Sequence, residues 1–168
     1  PNIEILSEKA ENHLDLNGIL DLMEIPDCSD AFNTSADREI DSVKKIGVAR
    51  DEAFHFYYRA NLEWLKTSGA EMVQFSPLKD SELPQNLDGL LIGGGFPEIY
   101  AETMSENHSM RQSLKKAIVS GMPCYAECGG LMLLAESLQT REGRSYPMAG
   151  MIPGSVRMTE RLQHFGYC

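Results

Sequence analysis

Apolar residues fall into two kinds of run along this chain, and the change of period between them marks its elements. Short, nearly unbroken apolar runs recur at Ile46-Gly47-Val48-Ala49, Met72-Val73-Gln74-Phe75, Gly89-Leu90-Leu91-Ile92 and Pro123-Cys124-Tyr125-Ala126. Runs of this length without alternation suit strands covered on both faces of a sheet. Between them the spacing turns helical. Tyr57 to Ser68 carries Tyr58, Leu62 and Leu65 on one side and stops at Gly69. Pro97 opens a helical stretch to about Ser105, and His108 to Ser120 puts Met110, Leu114, Ala117 and Ile118 on one face before Gly121. A last helix is expected from the turn after Ala126 to Leu138. Strand alternating with helix predicts an α/β fold, a doubly wound, mostly parallel sheet with helices on both faces and right-handed crossovers.

The rest of the chain breaks that rhythm. Pro1 to Leu6 is short and alternating, and Asn12 to Met23 has the spacing of an amphipathic helix, ended by Ile25-Pro26-Asp27. Ser29 to Ser42 is polar and reads as a linker or surface segment. Residues 1–44 are therefore expected to be a connector, and 45–168 the compact domain. Within that domain Arg50 to Phe56 reads as a loop rich in aromatics, and Leu78 to Asn86 and Gln139 to Tyr146 as polar and charged loops. Residues 147–154 are rich in turns, and Ser155 to Cys168 reads as extended chain or loop, with an edge strand as one option.

Length and charge narrow the function classes. The 168 residues suffice for one full core, and 42% apolar with 24% charged residues is an ordinary globular balance. A net charge of -10 argues against a nucleic-acid or anionic-membrane surface, which needs positive charge. No apolar run approaches the roughly 20 residues that span a bilayer, and no basic-then-apolar leader opens the chain. Four cysteines without a CxxC pair suit neither a disulfide scaffold nor zinc, so a reducing, cytoplasmic setting is expected.

The chemistry concentrates at Tyr125-Ala126-Glu127-Cys128-Gly129-Gly130-Leu131-Met132. Strand, turn and helix meet at Cys128, with Ala126 two residues before it and Gly130 two after. A tight strand-to-helix turn that presents a nucleophile needs small residues at such positions. The following helix N-terminus favours a thiolate. The competing reading of Cys128 is a buried structural cysteine. An acyl-transfer thiolate needs backbone N–H groups to hold an oxyanion. Gly129 offers one, and the glycine loop Gly93-Gly94-Gly95 after the third strand offers another. That loop lacks the spacing of phosphate-binding loops, although a phosphate loop or a plain turn stays open as a reading. No base stands out. His55 lies near the ligand edge of the sheet, where it either touches substrate or packs in its loop. His13, His108 and His164 suggest no partner for Cys128. Glu127 reads as a brace for the turn. Arg157, Glu160 and Arg161 form either an anion site or a solvated loop.

Several motifs in order carry a family resemblance over residues 44–168. They are Ala53-Phe54-His55-Phe56-Tyr57-Tyr58 with Asn61-Leu62; Phe75-Ser76-Pro77-Leu78; Asp88-Gly89-Leu90 leading to Gly93-Gly94-Gly95-Phe96-Pro97-Glu98; the Cys128 stretch; and Met148-Ala149-Gly150, Pro153-Gly154 and Met158-Thr159-Glu160-Arg161-Leu162. Here the chain resembles the glutamine amidotransferase domain of cobyrinic acid a,c-diamide synthase, of the class I, flavodoxin-like type. The Phe-Tyr-Tyr stretch favours that enzyme over cobyric acid synthase. The domains of cobyric acid synthase and of nickel-sirohydrochlorin diamide synthase remain alternatives, as do a stand-alone cysteine hydrolase and a non-catalytic interaction module.

The resemblance implies a glutamine-hydrolysing amido-ligase. Cys128 would attack the glutamine side-chain amide, Gly94, Gly95 and Gly129 would hold the oxyanion, and Phe96, Glu98, His55 and Tyr57 are the candidate substrate contacts. Ammonia would reach corrin carboxylates activated by ATP and Mg2+ on an upstream domain, with no cofactor held by these residues, and the assembly would be a homodimer. The resemblance also implies that the ATP-binding domain and the catalytic histidine lie outside the 168 residues, so that they turn over little or no glutamine alone.

Overall fold

The computed structural model describes residues 2–18 and 43–161. The chain divides between residues 39 and 40 into two units. In the first, helix α1 covers Asn2–His13, where the alternating run Pro1 to Leu6 suggests no helix. The run Ser7-Glu8-Lys9-Ala10-Glu11 is made of good or tolerated helix formers, and propensity outweighs a weak apolar period there. Asp15 then accepts from the Gly18 N–H at 3.0 Å and starts a new helical turn. The expected remainder of that helix, the Pro26 stop and the linker to Ser42 lie outside the described residues.

The second unit is built on a four-stranded parallel sheet of order β3-β1-β4-β6. Its strands are β1 (Lys44–Ala49), β3 (Ala70–Phe75), β4 (Gly89–Ile92) and β6 (Cys124–Ala126), at the four apolar runs. A short antiparallel pair joins β2 (Phe54–Phe56) to β5 (Gly94–Gly95). The aromatic segment is thus partly a strand rather than a loop, because Phe54 is buried and Phe54 and Phe56 pair with Gly95 and Gly94 of the glycine loop. Helix α2 (Arg59–Thr67) links β1 to β3 and ends at Gly69, whose φ is +90°. A 3-10 turn (Pro97–Tyr100), α3 (Ala101–Glu106) and α4 (His108–Val119) connect β4 to β6, and α5 (Gly129–Leu134) follows β6.

The helix expected to run to Leu138 stops at Leu134. Ala135–Gln139 is strand β7, which pairs antiparallel with β8 (Ser145–Pro147) and parallel with β9 (Ile152–Arg157). Ala135 and Leu138 are buried three residues apart, a spacing that also suits a helix. It is the pairing with β8 and β9, with its register shifted between Ala135 and Ser137, that makes this stretch a strand. The charged segment after Gln139 is consequently a hairpin, with Gly143 at φ +79° in its turn. The expected edge strand is β9.

The core lies where Phe75, Leu90 and Ile92 of the sheet meet Met104, Leu114 and Leu133 of α3, α4 and α5. The other side of the sheet is different. No residue of α2 is buried, and a groove of about 850 Å³ opens between its Leu62, Trp64 and Leu65 and the sheet residues Ile46, Leu91 and Tyr125. Sequence position β1 leads outward to β3, whereas β4 leads to β6 on the opposite side. The crossovers therefore diverge between β1 and β4, and in such sheets ligands bind beyond the carboxyl ends of the strands at that point. Among the described residues, no helix is long and apolar enough to cross a membrane.

Candidate functional site

The strand β6 delivers Cys128 to the carboxyl edge of the sheet. The register Leu90↔Cys124, Leu91↔Tyr125, Ile92↔Ala126 fixes the depth of β6 against β4. The Glu127 N–H continues the ladder to the Ile92 carbonyl at 3.1 Å, and the Gly130 N–H closes the turn on the Glu127 carbonyl at 2.8 Å. Cys128 between them has φ 49° and ψ -111°, a backbone state that residues with a Cβ rarely adopt. Its thiol is exposed, whereas Cys124 on the strand is half-buried, and burial pushes the Cys124 thiol pKa up.

Small residues let the turn sit this close. A Cβ on Gly130 would collide with the Ile92 carbonyl oxygen, and one on Gly129 would lie 2.9 Å from Pro97 Cδ and 3.3 Å from the Gly95 nitrogen. The Gly129 amide stands in the first turn of α5, where the helix supplies no acceptor. On the facing loop, a Cβ on Gly94 would be 3.5 Å from the Cys128 Cβ and one on Gly95 would strike the Ala53 carbonyl. The Gly94 backbone thus lies against the Cys128 side chain and Gly95 packs on Gly129, while a Cβ is excluded at Gly95, Gly129 and Gly130.

The other sequence candidates are distributed around this centre. Phe96 and His55 form an aromatic wall with Phe56: ring centroids are 5.2 Å apart for Phe56 and Phe96, 4.5 Å for His55 and Phe56, and 6.0 Å for His55 and Phe96. All three side chains are exposed. Glu98 is half-buried in the 3-10 turn and faces a second cavity of about 580 Å³ with Glu102, Arg141 and Arg144. The Tyr57 hydroxyl donates to the Ala49 carbonyl and accepts from the Gly93 N–H at 3.0 Å. Glu127 accepts from the Tyr125 hydroxyl at 3.1 Å, which raises the Tyr125 pKa. Among the described residues no histidine bonds Cys128: His55 stacks in the aromatic wall, His108 meets Arg111 at 2.6 Å, and His13 belongs to the first unit. His164 lies outside the described residues.

The glycine loop is poorly suited to a nucleotide. Its Gly93 amide is taken by the Tyr57 hydroxyl, and the segment 93–100 has neither the spacing nor the basic residue of a phosphate-binding loop. The described residues at this site do not fit ATP with magnesium, and no step is derived through them.

Two residues that the sequence reading passed over hold the site in place. Asp51 accepts from the N–H groups of Ala53 and Phe54 at 2.8 and 3.1 Å, from Ser76 Oγ at 2.8 Å and from the Leu78 N–H at 3.0 Å. An aspartate two and three residues before the amides it caps is a legible turn signal, but its reach to residues 76–78 is tertiary. Arg111 donates to the carbonyls of Met148 at 3.0 Å and Ser105 at 2.7 Å, tying α4 to the segment after β8.

Comparison with known proteins finds a matching family and curated relatives. The family described as the CobB/CobQ-like glutamine amidotransferase domain matches residues 45–168. A cobyrinate a,c-diamide synthase of Caldanaerobacter subterraneus subsp. tengcongensis is 46% identical over 98% of this chain, and one of Listeria innocua is 45% identical over 98%. A third, of Priestia megaterium, is 52% identical over 73% of the chain. The chain spans 36% of the length of the first two relatives and 27% of the third. A solved crystal structure of a glutamine amidotransferase aligns with a TM-score of 0.49 at 19% identity, over 67% of this chain and 55% of that one.

Proposed function

Since the chain belongs to the CobB/CobQ-like glutamine amidotransferase family, we propose that residues 45–168 contribute the glutamine-hydrolysing half of an amido-ligase, with Cys128 as nucleophile. One observation carries the reading: an exposed cysteine on a positive-φ turn, with the Gly94 backbone against its Cβ and the Gly95 nitrogen packed on Gly129. Strained turns of this kind hold a nucleophile clear of its own strand and helix.

The chemistry follows from the bonds involved. The Cys128 sulfur attacks the side-chain amide carbon of glutamine, and the carbonyl oxygen becomes an oxyanion facing the Gly129 and Gly95 N–H groups. Collapse of that intermediate breaks the C–N bond. The departing nitrogen takes a proton and leaves as ammonia, with a γ-glutamyl thioester on Cys128. Water then cleaves the thioester, giving glutamate and the free thiol. Oxyanion donors of this type each contribute roughly 10²–10³-fold in other acyl-transfer enzymes. Phe96, Glu98 and His55 border the approach and are the proposed substrate contacts.

The names of the relatives extend the reading. In a longer protein of this family the ammonia would amidate corrin carboxylates, at the expense of ATP and Mg2+ held outside the described residues. On this reading the chain would serve cobalamin synthesis.

Labelling tests the proposal without requiring turnover. The folded chain is treated with 6-diazo-5-oxonorleucine, with and without excess glutamine, and its peptides are weighed. Modification confined to Cys128, suppressed by glutamine and absent from Cys128→Ala, is the expected result. Labelling that glutamine leaves unchanged would point to a cysteine hydrolase of other specificity. A Cys128 inert even to iodoacetamide would point to an interaction module.

A further inference from the structure

We propose that Tyr57 is the positioning residue of the oxyanion loop, an inference that rests on the glutaminase reading above. Its hydroxyl stands where the sheet opens. Strands β1 and β4 are in register from Ile46↔Gly89 to Val48↔Leu91 and no further. Beyond that point β1 runs into the Asp51 turn and β4 into the glycine loop. The Ala49 carbonyl and the Gly93 N–H are left facing the opening, and the Tyr57 hydroxyl joins them, donating to the first and accepting from the second. A phenol has one proton to give, and here it is committed to backbone, away from any reacting atom.

The ring adds a second constraint. A Cβ on Gly93 would lie 2.6 Å from Tyr57 Cε1 and 2.8 Å from Cζ, while Gly93 has no positive φ. Glycine is needed there for contact rather than for conformation, so the ring presses directly on the loop backbone. The next two residues of that loop are Gly94, against Cys128, and Gly95, against Gly129. Gly93 is therefore the anchored residue through which β4 enters the pair of proposed oxyanion donors, whose other side is held by β2. Burial raises the phenol pKa, so the hydroxyl keeps its proton for Ala49 at neutral pH. In this role Tyr57 fixes the direction in which the Gly94 and Gly95 N–H groups point, and it sets the rate of tetrahedral-intermediate formation rather than glutamine affinity.

Tyr57→Phe keeps the ring and removes the tie. The test uses a γ-glutamyl thiophenyl ester: Cys128 displaces thiophenolate and becomes γ-glutamylated, a step that forms an oxyanion but needs no proton for the leaving group. Iodoacetamide, which alkylates sulfur without an oxyanion, is the control. The expected result is a maximal acylation rate at least about tenfold lower in Tyr57→Phe, with the half-saturating ester concentration and the iodoacetamide rate within about twofold of the parent. Faster hydrogen exchange at the Gly93 amide in the folded variant, by about tenfold, is the matching structural readout. Equal acylation in parent and variant, or an unchanged Gly93 exchange rate, overturns the proposal. An equal fall in acylation and alkylation also overturns it, because it marks a general loss of structure. Failure of the parent itself to acylate sinks the glutaminase reading, and is distinct from all of these.

Discussion

At Cys128 the backbone is held at φ 49° and ψ -111°, where a Cβ is poorly accommodated and glycine is at ease. Such positions cost on the order of 1–3 kcal/mol and persist when surrounding contacts dictate them. Here those contacts are the Glu127–Ile92 and Gly130–Glu127 hydrogen bonds on either side. Cys128→Gly should therefore raise unfolding stability by about 1 kcal/mol, while Cys128→Ala, which keeps the Cβ, should leave it nearly unchanged. Urea unfolding of the three proteins measures both. A glycine variant no more stable than the alanine variant would remove the argument from strain. Gly130 gives the complementary case, since a Cβ there meets the Ile92 carbonyl, a backbone atom that cannot swing away. Gly130→Ala should destabilise by about 2–3 kcal/mol, seen as a lower thermal midpoint.

Elements position the site through a few long-range ties. Asp51 closes the turn after β1 with two hydrogen bonds and ties it to the residues after β3 with two more. Its replacement by alanine leaves three N–H groups without their acceptor. Hydrogen bonds to a charged partner contribute roughly 1.5–3 kcal/mol each and are not additive, so Asp51→Ala should cost about 3 kcal/mol. Ser76→Ala, which removes one of the four, should cost about 1 kcal/mol, and chemical denaturation separates the two. These ties also mark the limit of what the sequence could reveal. The four parallel strands, the break at Gly69 and the Cys128 turn were legible, because each is coded locally by an apolar run, a glycine stop or a cluster of small residues. The strand β7 was not. Glu136 and Ser137 interrupt the apolar run, and only pairing with β8 and β9 decides between helix and strand. Helix α1 was missed because propensity, not period, forms it. The work of Tyr57 was hidden as well: its sequence neighbours suggest an aromatic cluster, while its hydroxyl partners lie 8 and 36 residues away.

For the molecule as a whole, ionisation of two half-buried acids sets an alkaline limit. Burial raises the pKa of Tyr57 and of Cys124, so the native state holds both protons more tightly than the unfolded chain does. Below the ordinary thiol and phenol values, about 8.5 and 10, both groups are neutral in either state and their packing contributes in full. As pH rises past each ordinary value, the unfolded chain releases its proton first. Stability then falls until the raised native pKa is passed, with a slope of at most about 1.4 kcal/mol per pH unit for each group. A net charge of -10 adds repulsion in the same direction, but salt screens charges at the surface far more than buried ones. At about 0.5 M salt the residual slope belongs mainly to burial. Cys124→Ala should flatten that slope from about pH 8.5, and Tyr57→Phe only above about pH 10. Stability curves in urea at half-unit pH steps would show the two windows separately. Parallel curves for parent and both variants would mean that neither proton is held by the fold, and that the alkaline loss is surface repulsion alone.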